Sequence, residues 1–386
     1  MPIKQITLVV IFVYIISRIS LSKKIFLSNT ILRYGLLYIF IGLAYTLYGL
    51  ANNNPGAYQM AKIFVLWPIF YISIASAIQE RHYKTLATIM NWSAVTIILT
   101  EILFLLTTQN MIPDIGISYI YSKSVFVLSS GFMTTYFIPH SSFIYVVPFI
   151  TSLSIAKYAN GMLVSKNSLV IIFMLWIAVL TSGRISLMIV TILSPIVSWV
   201  IISITTNNHN QTKTTAKATI MAGLFIVLLV SVMGYYQFSF ERMLEYLLWK
   251  TDTENNVTML VRKLQFYSIV ESIKSDVWFG QGLGASAIYT RDSTFTWAYE
   301  LQYVIYTLWF GIIGMVCYGY GIIWICKRMI EIIKKNESIY HIPILVGFVS
   351  ILIANSVNPY LTSFENMWSY FLPLYVINNY SLGKLE

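Results

Sequence analysis

Long apolar stretches recur along this chain of 386 residues, and they constrain its fold more than any other feature. A helix needs about 20 apolar residues to cross the hydrocarbon core, where only helices and closed barrels satisfy every backbone group. Charged residues make up only 10% of the chain, against about 25% in soluble domains, too few to cover a soluble surface of this size. The sequence therefore predicts an all-α, polytopic integral membrane protein with a single transmembrane domain over residues 1–386.

The lengths of these stretches predict about eleven spans, within a range of about ten to twelve. They cover residues 4–17, 31–50, 61–79, 86–106, 141–156, 167–181, 185–204, 218–236, 301–325, 341–357 and 367–379. The two longest hydrophilic connections are a large loop at 237–300, which we expect to contain amphipathic helices, and a second loop at 107–140.

Basic residues fall on alternate connections, which orients the predicted spans. The basic connections carry Arg18, Lys23, Lys24, Arg33, Arg81, Lys84, Lys157, Lys166, Lys213, Lys217, Lys327, Arg328, Lys334 and Lys335. The positive-inside rule makes them cytoplasmic, so loops 107–140 and 237–300 lie on the outer side, together with the N-terminus. The net charge of +10 is mostly this topological signal, and we expect it to contact anionic lipid rather than nucleic acid.

Arg262 lies in the large outer loop, within a segment that has the spacing of a helix. Val257, Leu260, Val261 and Leu264 fall at i, i+3, i+4 and i+7, which is one helical face, and Arg262 projects from another. Such a helix can lie on the surface of the membrane at the outer side of the spans, or it can cover a cavity. Arg262 is then either a ligand-binding residue or an arginine that snorkels to the interface.

Two more charged residues lie at the predicted membrane boundary. Glu300 precedes the span 301–325, where it can act as a general base or simply stabilise the positive end of a helix. Arg184 follows Ser182-Gly183 in a tight connection between two spans, with no aqueous loop around it. Its guanidinium suits phosphate or carboxylate oxygens, although an interfacial anchor explains it equally well.

The segment Phe279-Gly280-Gln281-Gly282-Leu283-Gly284 predicts a tight turn. Glycines permit positive φ and close approach of backbone, but nothing before this segment resembles the strand of a nucleotide-binding unit. The sequence also lacks CxxC, HExxH and Walker motifs.

Taken together, these motifs resemble the O-antigen polymerase and ligase superfamily. The resemblance rests on Ser182-Gly183-Arg184, on Val261-Arg262 with the glycine-rich segment after it, and on Glu300 followed by Gly311-Ile312-Ile313-Gly314. The ligases carry a catalytic histidine where this chain has Glu300, so the pattern is closer to a Wzy-type O-antigen polymerase.

The resemblance implies a membrane glycosyltransferase with a GT-C-like fold in the bacterial inner membrane, its active site facing the periplasm. The growing glycan on undecaprenyl pyrophosphate would be the donor, and a single lipid-linked repeat unit would be the acceptor. The partners implied are therefore these lipid-linked oligosaccharides, with a chain-length regulator of the same membrane as a further candidate, and no nucleic acid.

The resemblance also assigns roles to residues. Glu300 would accept the proton of the attacking sugar hydroxyl, and Arg262 and Arg184 would bind the pyrophosphate. Because the ligases need neither a metal nor a cofactor, the resemblance implies none here. Secondary candidates are Asp292, Asp276 and Gly282.

Two other functions fit parts of the pattern. An O-antigen ligase of the same superfamily is one, although the histidine is missing. A polysaccharide flippase or exporter, which is not an enzyme, is the other, but it should carry charged residues deep in a central cavity and often repeat symmetry.

Overall fold

A computed structural model gives the structure of the chain. It describes residues 13, 17, 27–75, 82–108, 111–113, 127–130, 133–136, 143–181, 185–206, 208–237, 257–335 and 338–383. Apart from Val13 and Ser17, the first predicted span lies outside these residues, and so does Arg184.

Helices occur wherever the sequence predicted a span from 31–50 onward. In chain order, α1 to α12 are Asn29–Ala51, Ala57–Ala61, Trp67–Ala75, His82–Thr108, Phe143–Ala159, Lys166–Thr181, Ile185–Thr205, His209–Gln237, Val257–Ile273, Gln302–Lys335, His341–Ala354 and Phe364–Ser381. A π-helical turn, Lys62–Leu66, joins α2 to α3. Within the predicted loop 107–140, the strands β1 (Val127–Ser130) and β2 (Met133–Tyr136) pair as an antiparallel hairpin.

Five helical segments of the described residues are long and apolar enough to cross a membrane. They are Asn29–Ala51, Ala57–Ala75, His82–Phe104, Ser186–Thr205 and Gln302–Lys335. Shorter apolar helices cover Ile144–Ala159, Lys166–Val179 and His341–Ala354. The structure is thus consistent with a helical membrane protein, while the count of eleven spans and the GT-C-like fold stay predictions.

The contacts divide the chain into two compact units. The first comprises Met1–Tyr83, Arg262–Asn336 and Asn355–Glu386, and the second comprises Lys84–Val261 and Glu337–Ala354. In the second unit, α5, α7 and α11 pack on one another. Gly347 of α11 permits this approach, because a Cβ atom there would lie 2.5 Å from the ring of Tyr145.

Helix α12, the last helix of the first unit, is hydrogen-bonded to the residue that precedes α1. Ser28 caps α1 by accepting a hydrogen bond from the Ile31 N–H at 3.3 Å, which satisfies one of the unpaired donors of a helix start. The Ser28 N–H in turn donates to Asn378 of α12 at 2.8 Å. Polar side chains thereby join segments at opposite ends of the sequence.

Gly311 breaks α10 into two segments, residues 302–310 and residues 312–335. Its φ of 60° and ψ of −172° are not helical, and glycine adopts a positive φ without the penalty of a Cβ atom. A Cβ atom at this position would also lie 2.3 Å from the carbonyl oxygen of Trp278. The break therefore requires glycine for its conformation and for the space around it.

The loop segment 277–282 lies against the break and forms hydrogen bonds with the end of the first helical segment of α10. The Gln281 N–H donates to the carbonyl of Leu308 at 2.8 Å, and the Gly282 N–H donates to the carbonyl of Trp309 at 3.0 Å. These two carbonyls would otherwise lack partners at the end of a helical segment.

The same loop satisfies the start of the second segment. The Ile312 N–H donates to the carbonyl of Val277 at 2.9 Å, and the Ile313 N–H donates to the carbonyl of Trp278 at 3.2 Å. Irregular backbone at membrane depth is tolerated only where it is buried in protein or lines a water-filled cavity. The exchange of hydrogen bonds explains how an apolar helix can be interrupted here.

The glycine-rich motif also packs directly on α1. Gly282 has a φ of 86°, and a Cβ atom on it would lie 2.4 Å from the backbone nitrogen of Gly49. The neighbouring Leu283 N–H donates to the carbonyl of Tyr45 at 3.0 Å. The amide of Asn54 donates to the Gln281 carbonyl at 2.7 Å. The motif therefore joins α1 to the break in α10.

Candidate functional site

Helix α9 occupies the segment where the sequence predicted a helix. Its buried face carries Gln265 and Ile269, each with no exposed surface, whereas Leu260 and Leu264 are exposed. Arg262 lies one turn before Gln265 and is mostly buried, with 22% of its side chain exposed. The apolar face is thus turned outward, and the arginine faces the protein.

The loop between α9 and α10 is held in shape by Tyr299. The Tyr299 hydroxyl accepts from the Ala287 N–H at 2.8 Å and donates to the carbonyl of Tyr289 at 3.2 Å. Burial raises the pKa of this hydroxyl, while its bond to the backbone of Ala287 acts in the opposite direction. The Tyr289 N–H is bonded to Ser268 of α9 at 2.6 Å, so the loop folds back onto the helix.

This arrangement brings two arginines to one carboxylate. The Arg262 Nε donates to Glu300 Oε2 at 2.5 Å, and an Nη1 hydrogen of Arg291 bonds the other oxygen, Oε1. The Glu300 side chain is only 11% exposed, and that of Arg291 is half exposed. Both oxygens of Glu300 are therefore engaged by guanidinium groups at the edge of a mostly buried site.

A buried amide completes the cluster. Gln265 Oε1 accepts from the backbone N–H of Glu300 at 3.2 Å, which fixes the orientation of the amide because only its oxygen can accept. Its Nε2 is buried and has no hydrogen-bond partner among the described residues. A buried amide donor without a partner costs about 1–3 kcal/mol, so this nitrogen is a candidate donor to a ligand or to water.

The cluster has an excess of positive charge and of donors. Two guanidiniums and one carboxylate sum to a net charge of about +1, and each guanidinium carries five N–H donors. In the described part of the chain, the hydrogen bonds of Arg262 and Arg291 use Nε and Nη1 respectively. The remaining N–H groups suit the oxygens of a phosphate or pyrophosphate, which arginine binds in a bidentate manner.

The secondary candidates make local contacts. Asp292 Oδ1 accepts from the N–H of Thr294 at 2.7 Å, which shapes a turn. Asp276 Oδ1 accepts from the Phe279 N–H at 3.1 Å, at the entry to the glycine-rich motif. Gly282 contacts α1 as described above. The described bonds do not join these three residues to the cluster, and Arg184 lies outside the described residues.

Arg291 and Gln265 are the two members of the cluster that the sequence interpretation missed. Arg291 immediately precedes the secondary candidate Asp292, and the polar loop around it has no periodicity that would single it out. Gln265 has a weak signal, since it falls three residues after Arg262 and thus on the same side of a helix. A buried glutamate in an apolar protein also implies cationic partners, and Arg291 belongs to the same loop.

Among the described residues, no group of three or more His, Cys, Asp or Glu side chains could hold a metal ion. The chain matches no model of a known protein family and no curated protein sequence at a significant level.

Proposed function

We propose that this protein is a membrane glycosyltransferase of the Wzy type that polymerises lipid-linked oligosaccharide repeat units. One observation carries the proposal: two arginines with unoccupied donors share a buried glutamate directly before a long apolar helix. That combination supplies an anion-binding group and a proton acceptor at a membrane boundary. The GT-C-like fold and the periplasmic side of the bacterial inner membrane are parts of the same proposal.

In the proposed reaction, Arg262 and Arg291 bind the pyrophosphate that links the growing glycan to its undecaprenyl carrier. The bond between the anomeric carbon and the phosphate oxygen breaks, and the electron pair leaves with the lipid pyrophosphate. Guanidinium groups placed at the developing negative charge stabilise the transition state in the manner of an oxyanion hole. Such charge stabilisation makes a metal unnecessary in this scheme.

Glu300 accepts the proton of the acceptor sugar hydroxyl as that oxygen attacks the anomeric carbon. Both carboxylate oxygens accept hydrogen bonds from arginine N–H groups. When pyrophosphate oxygens bind the unoccupied N–H groups and draw the guanidinium groups toward them, one carboxylate oxygen becomes available to the hydroxyl. Donor binding would therefore precede and permit activation of the acceptor.

The break in α10 bears on the rival function of a flippase or exporter. Transporters often place their substrate sites at interrupted helices, where free backbone groups and helix ends bind the cargo. At Gly311 the carbonyls and N–H groups that the break leaves without partners inside α10 are bonded to residues 277–282 instead. The break therefore gives no support to a transport site.

Reconstituted protein with synthetic lipid-linked repeat units tests the proposal. We expect a ladder of polymer lengths from the wild type, none from Arg262→Ala, and partial extension from Arg262→Lys, because a point charge does not bind phosphate in a bidentate manner. Arg328→Ala serves as the control, since Arg328 pairs with Glu331 on the exposed surface of α10. Full ladders from Arg262→Ala, in folded protein, would contradict the assigned role.

The same system tests Arg184, whose side chain stays a sequence-based candidate. We expect Arg184→Ala to reduce extension more than it reduces the amount of protein in the membrane. In cells, deletion of the gene should leave core carrying one repeat unit, whereas core alone would indicate a ligase or an export defect.

A further inference from the structure

A groove of about 300 Å³ runs between α1 and α10 within the first unit. Its lining residues on α1 extend from Thr30 to Gly42, about 18 Å along the helix axis at 1.5 Å per residue. Apart from its ends, the lining is aromatic and aliphatic, as at Leu37, Ile41 and Phe310. The groove is therefore a long, narrow, apolar channel along helices that are expected to cross the membrane.

Ring contacts fix the walls of the groove. The rings of Tyr34 and Trp324 stack with centroids 4.8 Å apart, and those of Tyr38 and Tyr318 lie 6.0 Å apart. The Tyr34 hydroxyl is hydrogen-bonded to Tyr370 of α12 at 3.2 Å. These side chains are held by one another, so the groove is a formed feature rather than a gap between mobile side chains.

Glycine provides the space in the groove. Gly321 lines it, and a Cβ atom on Gly321 would lie 3.3 Å from the Tyr34 hydroxyl. Gly319, two residues earlier on the same helix, has nothing within 4 Å of the same position. A large side chain at 321 should therefore fill the groove, and the same side chain at 319 should not.

Basic residues mark one end of the groove. Arg33 lines it and is exposed, and Lys327 is an exposed residue one turn beyond Trp324 on α10. Within the described part of the chain, neither residue forms an ion pair with a carboxylate, unlike Arg328, which pairs with Glu331. The alternation of basic connections predicts that this end is cytoplasmic.

We propose that the groove between α1 and α10 binds an anionic glycerophospholipid, with one acyl chain along the aromatic walls and the phosphate at Arg33 and Lys327. Basic residues at the membrane surface attract anionic headgroups, and the apolar channel matches a single chain. This site is separate from the proposed pyrophosphate site. That cluster precedes α10, whereas Lys327 lies about 22 Å beyond Ile312 along the helix axis.

Native mass spectrometry of the purified protein tests the proposal, with phosphatidylglycerol and phosphatidylcholine of identical chains as probes. We expect phosphatidylglycerol to remain bound, and Arg33→Gln to weaken it about five-fold, the loss of one headgroup-binding charge. Lys166→Gln, which removes an exposed basic residue at the start of α6, should leave binding unchanged. Equal retention of both lipids, or equal losses in the two variants, would overturn the proposal.

A second pair of variants tests the chain-binding part of the groove. Gly321→Leu should abolish retention of phosphatidylglycerol, and Gly319→Leu should preserve it. If Gly321→Leu does not fold, Cys317, which lines the groove, provides the measurement in a Cys326→Ser background. Phosphatidylglycerol should then slow alkylation of Cys317 several-fold more than phosphatidylcholine does. No protection would refute the site, and stronger protection by undecaprenyl phosphate than by phosphatidylglycerol would assign the groove to the carrier lipid instead.

Discussion

The glycine-rich motif 279–284 lies in the connection between α9 and α10, and the arginine–glutamate cluster is formed by this connection together with α9, yet the two differ in the state of their donors. In the motif, the N–H groups of Gly280, Gln281, Gly282 and Leu283 all donate to backbone carbonyls. In the cluster, guanidinium N–H groups and the Gln265 amide remain unused by described residues. A glycine-rich loop suggests phosphate binding by its sequence, but here four of its N–H groups are already bonded to backbone carbonyls, so the loop serves to connect α1 with α10. Among the described residues, unused side-chain donors for a ligand remain in the cluster.

The largest effect should come from the break at Gly311, where the loop segment 277–282 is bonded to α10. We expect Gly311→Ala to destabilise the protein by more than about 3 kcal/mol, because a positive φ and a contact of 2.3 Å with the Trp278 carbonyl are both unfavourable. The yield of monodisperse protein in detergent and its thermal stability measure this loss. Gly319→Ala is the matched control, with open space around its Cβ atom. Similar behaviour of the two variants would show that the break in α10 is not required.

Glu300→Gln should abolish chain extension, with a loss of about 10²–10⁴ in rate, the usual contribution of a general base. The substitution keeps the shape and an acceptor oxygen, so folded protein should still be recovered. Glu331→Gln, which removes an exposed carboxylate from α10, is the control. Polymer ladders from Glu300→Gln in the reconstituted system would leave Glu300 a purely structural partner of the two arginines.

Arg291→Ala should reduce extension about 10²-fold, the loss caused by removing one donor to a developing charge. Its side chain is half exposed, as is that of the control Arg328, so truncation should not change the amount of folded protein. The extension rate at saturating and at limiting donor separates binding from catalysis. Normal extension by Arg291→Ala would restrict the pyrophosphate site to Arg262.

The smallest effect should come from Gln265→Leu. It removes a bond to the Glu300 N–H but also a buried amide nitrogen without a partner, so we expect stability to change by less than about 1 kcal/mol. If that nitrogen donates to the substrate, extension should fall about three- to ten-fold, the worth of one hydrogen bond. Lower stability with an unchanged rate would assign Gln265 a structural role rather than a role in binding the substrate.

The sequence predicted the helices because each span needs a long apolar run, and that requirement is local. It could not predict the break, since Gly311 lies in an apolar run that is compatible with one continuous helix. The residues that bond to the break, Val277 to Gly282, belong to another part of the chain. Their partnership is a tertiary contact that composition does not record.

The candidate site, like the fold, was predictable from the sequence only in part. Arg262 and Glu300 stand out because charges next to apolar spans are uncommon. Arg291 reaches Glu300 only because Tyr299 folds the intervening loop back onto α9, and no spacing rule describes that fold. The outward apolar face at Leu260 and Leu264 was visible as a pattern, but the polar packing of Gln265 beneath it was not.

The interruption of α10 at Gly311 has a consequence for biogenesis. Its hydrogen bonds connect the 277–282 segment with residues of α10 that are synthesised later, so they cannot form until both have left the ribosome. The insertion machinery therefore receives an uninterrupted hydrophobic segment that it can recognise as a span. We expect the break to form afterwards, when the loop docks, so that the same apolar run first directs membrane insertion and later accommodates the interruption.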